Sequence, residues 1–144
     1  MNWRLCRVAI AIALLLPVTA AAAPIAVTDA WIRALPGKLP AGGYFNLHNV
    51  TTKTVTLNGA SSSACGMLML HKSESMGGMS RMADVATIAV APGATLKFAP
   101  GGYHLMCMDP SPAIRRGAKV SVVLEFSDGS KISTVFVVRG ANGR

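Results

Sequence analysis

Methionine and histidine side chains are concentrated in one stretch of the 144-residue chain. Seven of its eight methionines lie between Met67 and Met108, together with two of its three histidines, His71 and His104. Thioether sulfur is a soft ligand that suits copper(I) better than zinc, calcium or magnesium, and imidazole adds affinity. A thioether cannot form a disulfide, so it remains a ligand where thiols become oxidised. The composition of this stretch therefore indicates a copper(I) site.

Two parts of this stretch are suited to presenting ligands together. His104 and Met106 are two residues apart on a predicted strand, so both side chains project from one face of it. His71 ends another predicted strand, and the loop that follows supplies the next three methionines. We expect Met67 and Met69 to fill gaps in the core instead, because methionine is a common core residue on an apolar strand.

The elements that carry these side chains are predicted to be short strands divided by turns. Residues 67–72 and 103–108 are the strands that hold the two histidines, and 73–81 is a loop. Residues 119–138 are predicted to form a hairpin about Asp128-Gly129. No segment after the first 23 residues keeps a helical period over ten residues. Regularly spaced strands with Gly and Pro turns predict an all-β sandwich or barrel.

Four of the histidines and methionines also match a long-range spacing. His71 is followed by ten residues and then Met82, Met82 by twenty-one residues and then His104, and His104 by one residue and then Met106. This spacing resembles the fingerprint of the periplasmic PCu(A)C copper chaperones, and the resemblance covers about residues 25–138. Further segments that resemble the family are Ala30-Trp31-Ile32-Arg33, Gly59-Ala60-Ser61-Ser62, Leu70-His71 and Pro100-Gly101-Gly102-Tyr103-His104-Leu105-Met106.

The resemblance implies a cupredoxin-like Greek-key β-sandwich or barrel that binds copper(I) at an exposed site and passes it on. The implied ligands are His71, Met82, His104 and Met106. The implied recipient is the cytochrome c oxidase subunit that carries the copper A centre, with a thiol-disulfide copper protein as co-worker. Met76 and Met79 are accessory candidates, either as a relay for incoming copper or as exposed apolar residues of a flexible loop. One departure from the family is Lys72, which stands where a carboxylate is usual and changes local charge without removing a ligand.

The N-terminal residues have the features of a cleavable export signal. Arg4 and Arg7 precede an apolar run over 8–16, and Ala20-Ala21-Ala22 supplies the small residues for cleavage after Ala22. The run is shorter than the ~20 residues that span a bilayer, and no cysteine stands at the boundary for lipid attachment. We therefore predict a periplasmic protein with no membrane span after signal cleavage. The predicted organisation is a signal over 1–22, a copper-binding β-barrel domain over 23–140 and a flexible tail over 141–144.

Of the three cysteines, Cys6 lies in the predicted signal. Cys65 and Cys107 leave three alternatives: a disulfide between the strand before His71 and the strand of His104, free thiols that add to the copper site, or two unrelated buried cysteines. Alternation along the strand puts Cys107 on the face opposite His104, which argues against it as a ligand. Export to an oxidising compartment favours the disulfide.

Lysine and arginine outnumber aspartate and glutamate by 14 to 6. The basic residues are scattered, and no aromatic residues alternate with them as single-strand nucleic-acid binders require. We therefore predict no nucleic-acid partner, and we predict a monomer.

An electron-transfer cupredoxin or a copper storage or resistance protein is the alternative function. A blue-copper site needs a thiolate with histidines and a weak axial methionine, and Cys107 beside His104 and Met106 offers these residue types. No Ser/His/Asp set, Gly-rich phosphate loop or HExxH motif is evident in the sequence, so we predict that the protein is not an enzyme. A β-sandwich without metal is the remaining alternative.

Overall fold

The computed structural model describes residues 24–144, so the predicted signal over 1–22 lies outside the described residues. Ten β-strands and no α-helix are present in residues 24–144. The strands are β1 (Ile25–Arg33), β2 (Ala41–Asn49), β3 (Val55–Ser61), β4 (Cys65–Met76), β5 (Met79–Asp84), β6 (Ile88–Val90), β7 (Thr95–Phe98), β8 (Tyr103–Pro110), β9 (Lys119–Phe126) and β10 (Lys131–Arg139). The predicted all-β class is confirmed. No membrane-spanning helix is found in residues 24–144.

The ten strands form one continuous sheet that curls on itself. Hydrogen bonding orders it β5-β4-β8-β7-β2-β1-β10-β9-β3-β6, and β8 also pairs with β2. β3, near one end of this order, contacts β4, near the other end, so the sheet closes around a core. The largest fully buried apolar side chains of that core are Phe45, Phe136, Ile32, Leu47, Leu57, Leu105, Leu124, Val122 and Val138.

Neighbouring strands β4 and β8 have a core face and an outer face. Leu68 and Leu70 of β4, with Leu105 and Cys107 of β8, are buried in the core. Side chains alternate along a strand, so the residues between and beside them project to the other side. We call this side the outer face of β4 and β8; it carries Met67, Met69, His71, His104, Met106 and Met108.

Residues 73–81, predicted as a loop, instead form a β-hairpin, so that prediction is wrong. β4 continues to Met76 and β5 begins at Met79, with Gly77 and Gly78 between them at φ values of 58° and 81°. A two-residue hairpin turn with positive φ at both positions favours glycine, which adopts this conformation without strain. The tip of the hairpin is exposed on both faces. It therefore has no alternation of apolar and polar residues to reveal it in the sequence.

The sequence has turn signals at Asp128-Gly129 and at Asn58-Gly59, and the two pairs lie in different parts of the fold. Asp128-Gly129 forms the predicted turn between β9 and β10. There the hydroxyl and the N–H of Ser130 donate hydrogen bonds to the Asp128 carboxylate, at 2.6 and 2.9 Å, and they lower the pKa of Asp128. Asn58-Gly59 also resembles a turn but lies inside β3, where the pairing with β9 shifts between Leu57 and Gly59. Glycine inside a strand often marks such a bulge.

Cys65 and Cys107 form a disulfide that joins the start of β4 to β8. Their Cα atoms are 5.4 Å apart. Gly66 allows β4 and β8 to approach closely beside the disulfide. A Cβ atom at this position would lie only 2.9 Å from the Cβ atom of Asp109. Cys107 is buried in the core, and Cys65 is half-buried and packs against that core. The disulfide therefore belongs to the core side of this pair of strands.

Candidate metal centre

β5, β4 and β8 lie side by side and bring the four predicted ligands to one region. His71 on β4 is directly opposite His104 on β8, and their ring centroids are 5.7 Å apart. On the other side of β4, Ser73 is opposite Met82 of β5, so Met82 lies one row beyond the histidines on the same face. Met106 follows His104 by two residues and lies one row in the opposite direction. All four side chains therefore share the outer face.

His104 is oriented by the backbone. The residue is only 4% exposed, and its Nδ1 lies 3.0 Å from the carbonyl oxygen of Gly102. A carbonyl only accepts hydrogen bonds, so Nδ1 carries a proton, and in the neutral imidazole Nε2 then keeps a free lone pair. Nε2 is buried, and no partner in the described part of the chain hydrogen-bonds to it. This is the form of imidazole that binds a metal ion, with its other nitrogen held by a backbone carbonyl.

A carboxylate approaches His71. Asp84 of β5 is directly opposite His71, and its Oδ1 is 2.8 Å from Nε2 of the imidazole. The carboxylate and the imidazole are not aligned for a hydrogen bond despite this short distance. Neither ring nitrogen of His71 has a hydrogen-bond partner among residues 24–144. Both nitrogens thus remain free of protein hydrogen bonds. Asp84 supplies a negative charge that the sequence does not provide directly after His71, where Lys72 stands.

Three of the predicted ligands, Met82, His104 and Met106, line one depression of about 280 Å³. Arg33 and Tyr44 form part of its other walls. The fourth predicted ligand does not line the depression, but its imidazole ring stands edge-on to that of His104, at an interplanar angle of 74°. Met82 is 57% exposed. The arrangement is therefore open to solvent on the methionine side and closed on the histidine side.

The donor set of this region is soft. No group of three or more His, Cys, Asp and Glu side chains in residues 24–144 is arranged to hold a metal ion. His71 and His104 are accompanied on the outer face by the thioether sulfurs of Met82 and Met106. Zinc sites are built from Cys, His and carboxylates, and calcium sites from oxygen donors, so the arrangement argues against both. Two imidazoles and two thioethers suit copper(I).

Tyr44 and Arg33 border the depression, and sequence reasoning did not identify them as part of the site. The ring centroid of Tyr44 is 6.5 Å from that of His104. The Arg33 guanidinium lies 5.6 Å from the ring centroid of Trp31 and 5.4 Å from that of Tyr44. These cation–π distances indicate that the aromatic pair holds Arg33 at the rim. The sequence feature that points to Arg33 is the Ala30–Arg33 segment, which resembles the chaperone family. This segment contains no residue of a type that binds copper(I), so it was not counted as part of the site.

The remaining methionines are distributed differently from the prediction. Met76 and Met79 are opposite each other beside the hairpin turn and are exposed. By alternation they lie on the face of the hairpin away from Met82. Met67, predicted to fill the core, is 58% exposed on the outer face, so that prediction is wrong. Met69 is half-buried on the same face.

Solved structures with the same fold support the architecture. The apo PmoF2 PCuAC domain matches with a TM-score of 0.69 and 23% identity, over 85% of this chain and 94% of that one. Apo-DR1885 from Deinococcus radiodurans matches with a TM-score of 0.64 and 25% identity, over 100% of this chain and 97% of that one. CuI-DR1885 from the same organism matches with a TM-score of 0.63 and 25% identity, over 76% and 74%. The fold is that of PCuAC domains, a cupredoxin-like β-barrel, as the sequence resemblance implied.

Sequence comparison places the chain in a family. A protein named "Putative lipoprotein Lxx21020" from Leifsonia xyli subsp. xyli (strain CTCB07) is 32% identical over 120 residues, which cover 83% of this chain and 72% of that protein. The family model described as "Putative lipoprotein LpqE-like" matches residues 25–138, which include nearly all of the described strands. The chain therefore belongs to the LpqE-like family.

Proposed function

We propose that this protein is a copper(I) chaperone that binds one ion and passes it to a copper enzyme. The proposed ligands are His71, Met82, His104 and Met106. The observation that carries the proposal is the grouping of these four side chains on one face of β5, β4 and β8. The free Nε2 lone pair of His104 supports it further.

The chemistry of the proposed site suits a carrier that must also release its ion. All four donors are neutral, and none is a thiolate that would hold copper(I) more strongly. Met82 is exposed on the edge strand β5, so a ligand from the recipient can replace its sulfur first. His104 is buried and oriented by Gly102, so it is the donor that leaves last. Release would then proceed by exchange of one ligand at a time.

The relatives add independent support. CuI-DR1885 is by its description a copper(I)-bound protein, and it is 25% identical to this chain over the matched region. The family description as lipoproteins supports export. We propose that the mature protein acts in the periplasm after removal of the predicted signal over 1–22.

For the recipient, we propose the copper A centre of cytochrome c oxidase, with a thiol-disulfide copper protein as co-worker. Transfer to a second protein requires an accessible ion, and the depression that holds Met82 and Met106 opens to the surface. We further propose that the protein acts as a monomer and has no catalytic activity. In the described residues, Asp84 is the one carboxylate with an oxygen within 4 Å of a ring nitrogen of either site histidine, and it is exposed.

The disulfide argues against the electron-transfer alternative. A blue-copper centre requires a cysteine thiolate as ligand. Cys107 is the one cysteine next to the candidate ligands in sequence, and it is paired with Cys65. Its side chain also lies on the core side of β8, away from the outer face.

The first test is a copper(I) titration of the purified protein against a competing chromophoric chelator without oxygen. We expect one tight equivalent, and His104→Ala should lower the affinity by at least about 100-fold, a change of roughly 2.7 kcal/mol. His48→Ala is the matched control, because the His48 imidazole is on β2 and contacts Thr95, with 2.8 Å between its Nδ1 and the Thr95 hydroxyl oxygen. Equal affinities of the wild-type and His104→Ala proteins would remove the proposed site.

A second pair of variants tests the sulfur ligand on the edge strand. Met82→Leu keeps an apolar side chain of similar size but removes the thioether, so we expect about tenfold weaker copper(I) binding, or ~1.4 kcal/mol. Met79→Leu makes the same change three residues earlier on the opposite face of the hairpin and should leave the affinity unchanged. If both variants bind as the wild type does, Met82 is not a ligand.

A further inference from the structure

Two rows of methionines continue the outer face of β4 and β8 from the histidine row, and the nearer row contains the proposed ligand Met106. Next to the His71–His104 row, Met69 of β4 is directly opposite Met106 of β8. One row further, Met67 is directly opposite Met108. The sequence shows only that these residues are methionines on two strands. Their antiparallel register turns them into consecutive cross-strand pairs on the face that carries the histidines.

The spacing of these rows allows two sulfurs to meet at one ion. Side chains directly opposite each other on antiparallel strands have Cβ atoms about 4.5–5.5 Å apart. Consecutive rows on one face are two residues apart, or roughly 7 Å. Methionine has three rotatable side-chain bonds, so its sulfur adjusts its position by several bond rotations. The two sulfurs of one row can therefore share an ion, and an ion can move between adjacent rows.

Core packing does not account for the outermost row. Met67 is 58% exposed, although Leu68 next to it is buried. Met108 is half-buried. Met69 borders a second depression, of about 400 Å³, with the carboxylate residues Asp84 and Glu125. Glu125 is paired with Lys131, whose Nζ is 3.2 Å from its Oε1, so Asp84 is the carboxylate of the two that favours the approach of a cation to this side of β4.

We propose that Met67 and Met108 form a second, weaker copper(I) site, connected to the histidine row through Met69 and Met106. The proposal rests on the copper(I) function proposed above and adds a second binding position to it. Two neutral thioethers without imidazole hold the ion less tightly than the four-ligand site. The ion moves by ligand exchange, in which one Cu–S bond forms as another breaks. Copper stays in the +1 state, and no proton or electron is transferred.

The methionines at the hairpin tip serve as a matched control. Met76 and Met79 are also a directly opposite pair of exposed methionines. They lie on the other face of the hairpin and are not continuous with the Met67–Met108 and Met69–Met106 rows. If any exposed methionine pair bound copper(I), this pair would bind it as well as Met67 and Met108.

The experiment follows each methionine methyl group by NMR, in protein labelled with ¹³C at the methionine methyls, while copper(I) is added without oxygen up to two equivalents. We expect the first equivalent to shift the signals of Met82 and Met106. The second should shift those of Met67 and Met108. The double variant Met67→Leu with Met108→Leu should lose the second step and keep the first. The double variant Met76→Leu with Met79→Leu should keep both steps.

The outcomes separate the two proposals. If the first equivalent shifts Met82 and Met106 but the second leaves Met67 and Met108 unchanged, the second site is rejected and the chaperone proposal stands. Persistence of the second step in the Met67→Leu, Met108→Leu variant also rejects the second site. If the first equivalent does not shift Met82 and Met106, both proposals are wrong.

Discussion

β4 and β8 present two faces of different composition within the same two strands. The core face carries Leu68 and Leu70 from β4, and Leu105 and Cys107 from β8, all buried. The outer face carries methionines and histidines at the alternating positions. One face therefore contributes to stability, and the other displays donors that suit a soft metal ion. Because the division follows strand alternation, single substitutions can be directed at one face without changing the other.

The choice of side chains on each face has a physical reason. Leucine has few preferred rotamers and no polar atoms, so it packs a core in one arrangement. Methionine is flexible and polarizable, which weakens packing specificity but lets a sulfur follow a metal ion. On the outer face, a side chain that adjusts its position is an advantage, since binding and release both require ligands to move.

Removal of the disulfide, which lies on the core side, is expected to lower the free energy of unfolding more than the other substitutions do. Replacing both cysteines, Cys65→Ala with Cys107→Ala, opens a link between residues 42 apart in sequence. Loss of such a link lowers the free energy of unfolding by about 4 kcal/mol on chain-entropy grounds. Chemical denaturation of the variant and of the chemically reduced wild type measures this change. Copper(I) affinity of the folded variant should match that of the wild type, and a large loss would assign the cysteines to the metal site.

The second prediction compares the loss of unfolding free energy at two nearby positions on the two faces of β4. Leu70→Ala removes a buried side chain from the core and should cost about 3 kcal/mol of unfolding free energy. Met67→Ala, three positions earlier on the exposed outer face, should cost less than about 0.5 kcal/mol. Denaturant unfolding curves of both variants give the two values. Similar costs would show that Met67 also packs in the core, which would contradict the division of faces.

Much of the fold follows from local sequence signals. Strand alternation places His104 and Met106 on one face, and Asp128-Gly129 identifies its hairpin, because both signals depend only on neighbouring residues. The hairpin over 73–81 was not predicted, since its tip projects from the barrel and neither face there is buried. Without a buried face, the sequence has no hydrophobic period to detect.

The surroundings of the candidate site depend on contacts between distant segments. Tyr44 approaches His104 because β2 pairs with β8, a pairing between strands that are far apart in sequence. Nothing in the local sequence specifies that register. Met67 and Met69 are expected in the core because methionine commonly fills gaps there on an apolar strand. Only the alternation of buried leucine with exposed methionine distinguishes the two faces.

The smallest expected effect is the change in copper(I) affinity on removing the charge of Asp84, whose carboxylate approaches His71. Asp84→Asn keeps the shape of the side chain but removes the charge 2.8 Å from Nε2 of His71. Asp84 is 86% exposed, so water screens most of its attraction for a cation. We expect copper(I) affinity to fall about two- to threefold, with the difference disappearing at high salt. The chelator titration at low and high ionic strength measures this change.

Asp109→Asn is the matched control for that prediction. It removes the same charge from an exposed residue at the end of β8, which lies beyond the methionine rows, and should leave the affinity unchanged. An Asp84→Asn loss of tenfold or more that persists at high salt would contradict the screened-charge interpretation. Because such a loss exceeds what an exposed charge contributes, it would make Asp84 a direct ligand. The outer face would then combine a carboxylate with its soft donors, and its preference for copper(I) over harder ions would be weaker than the thioethers alone predict.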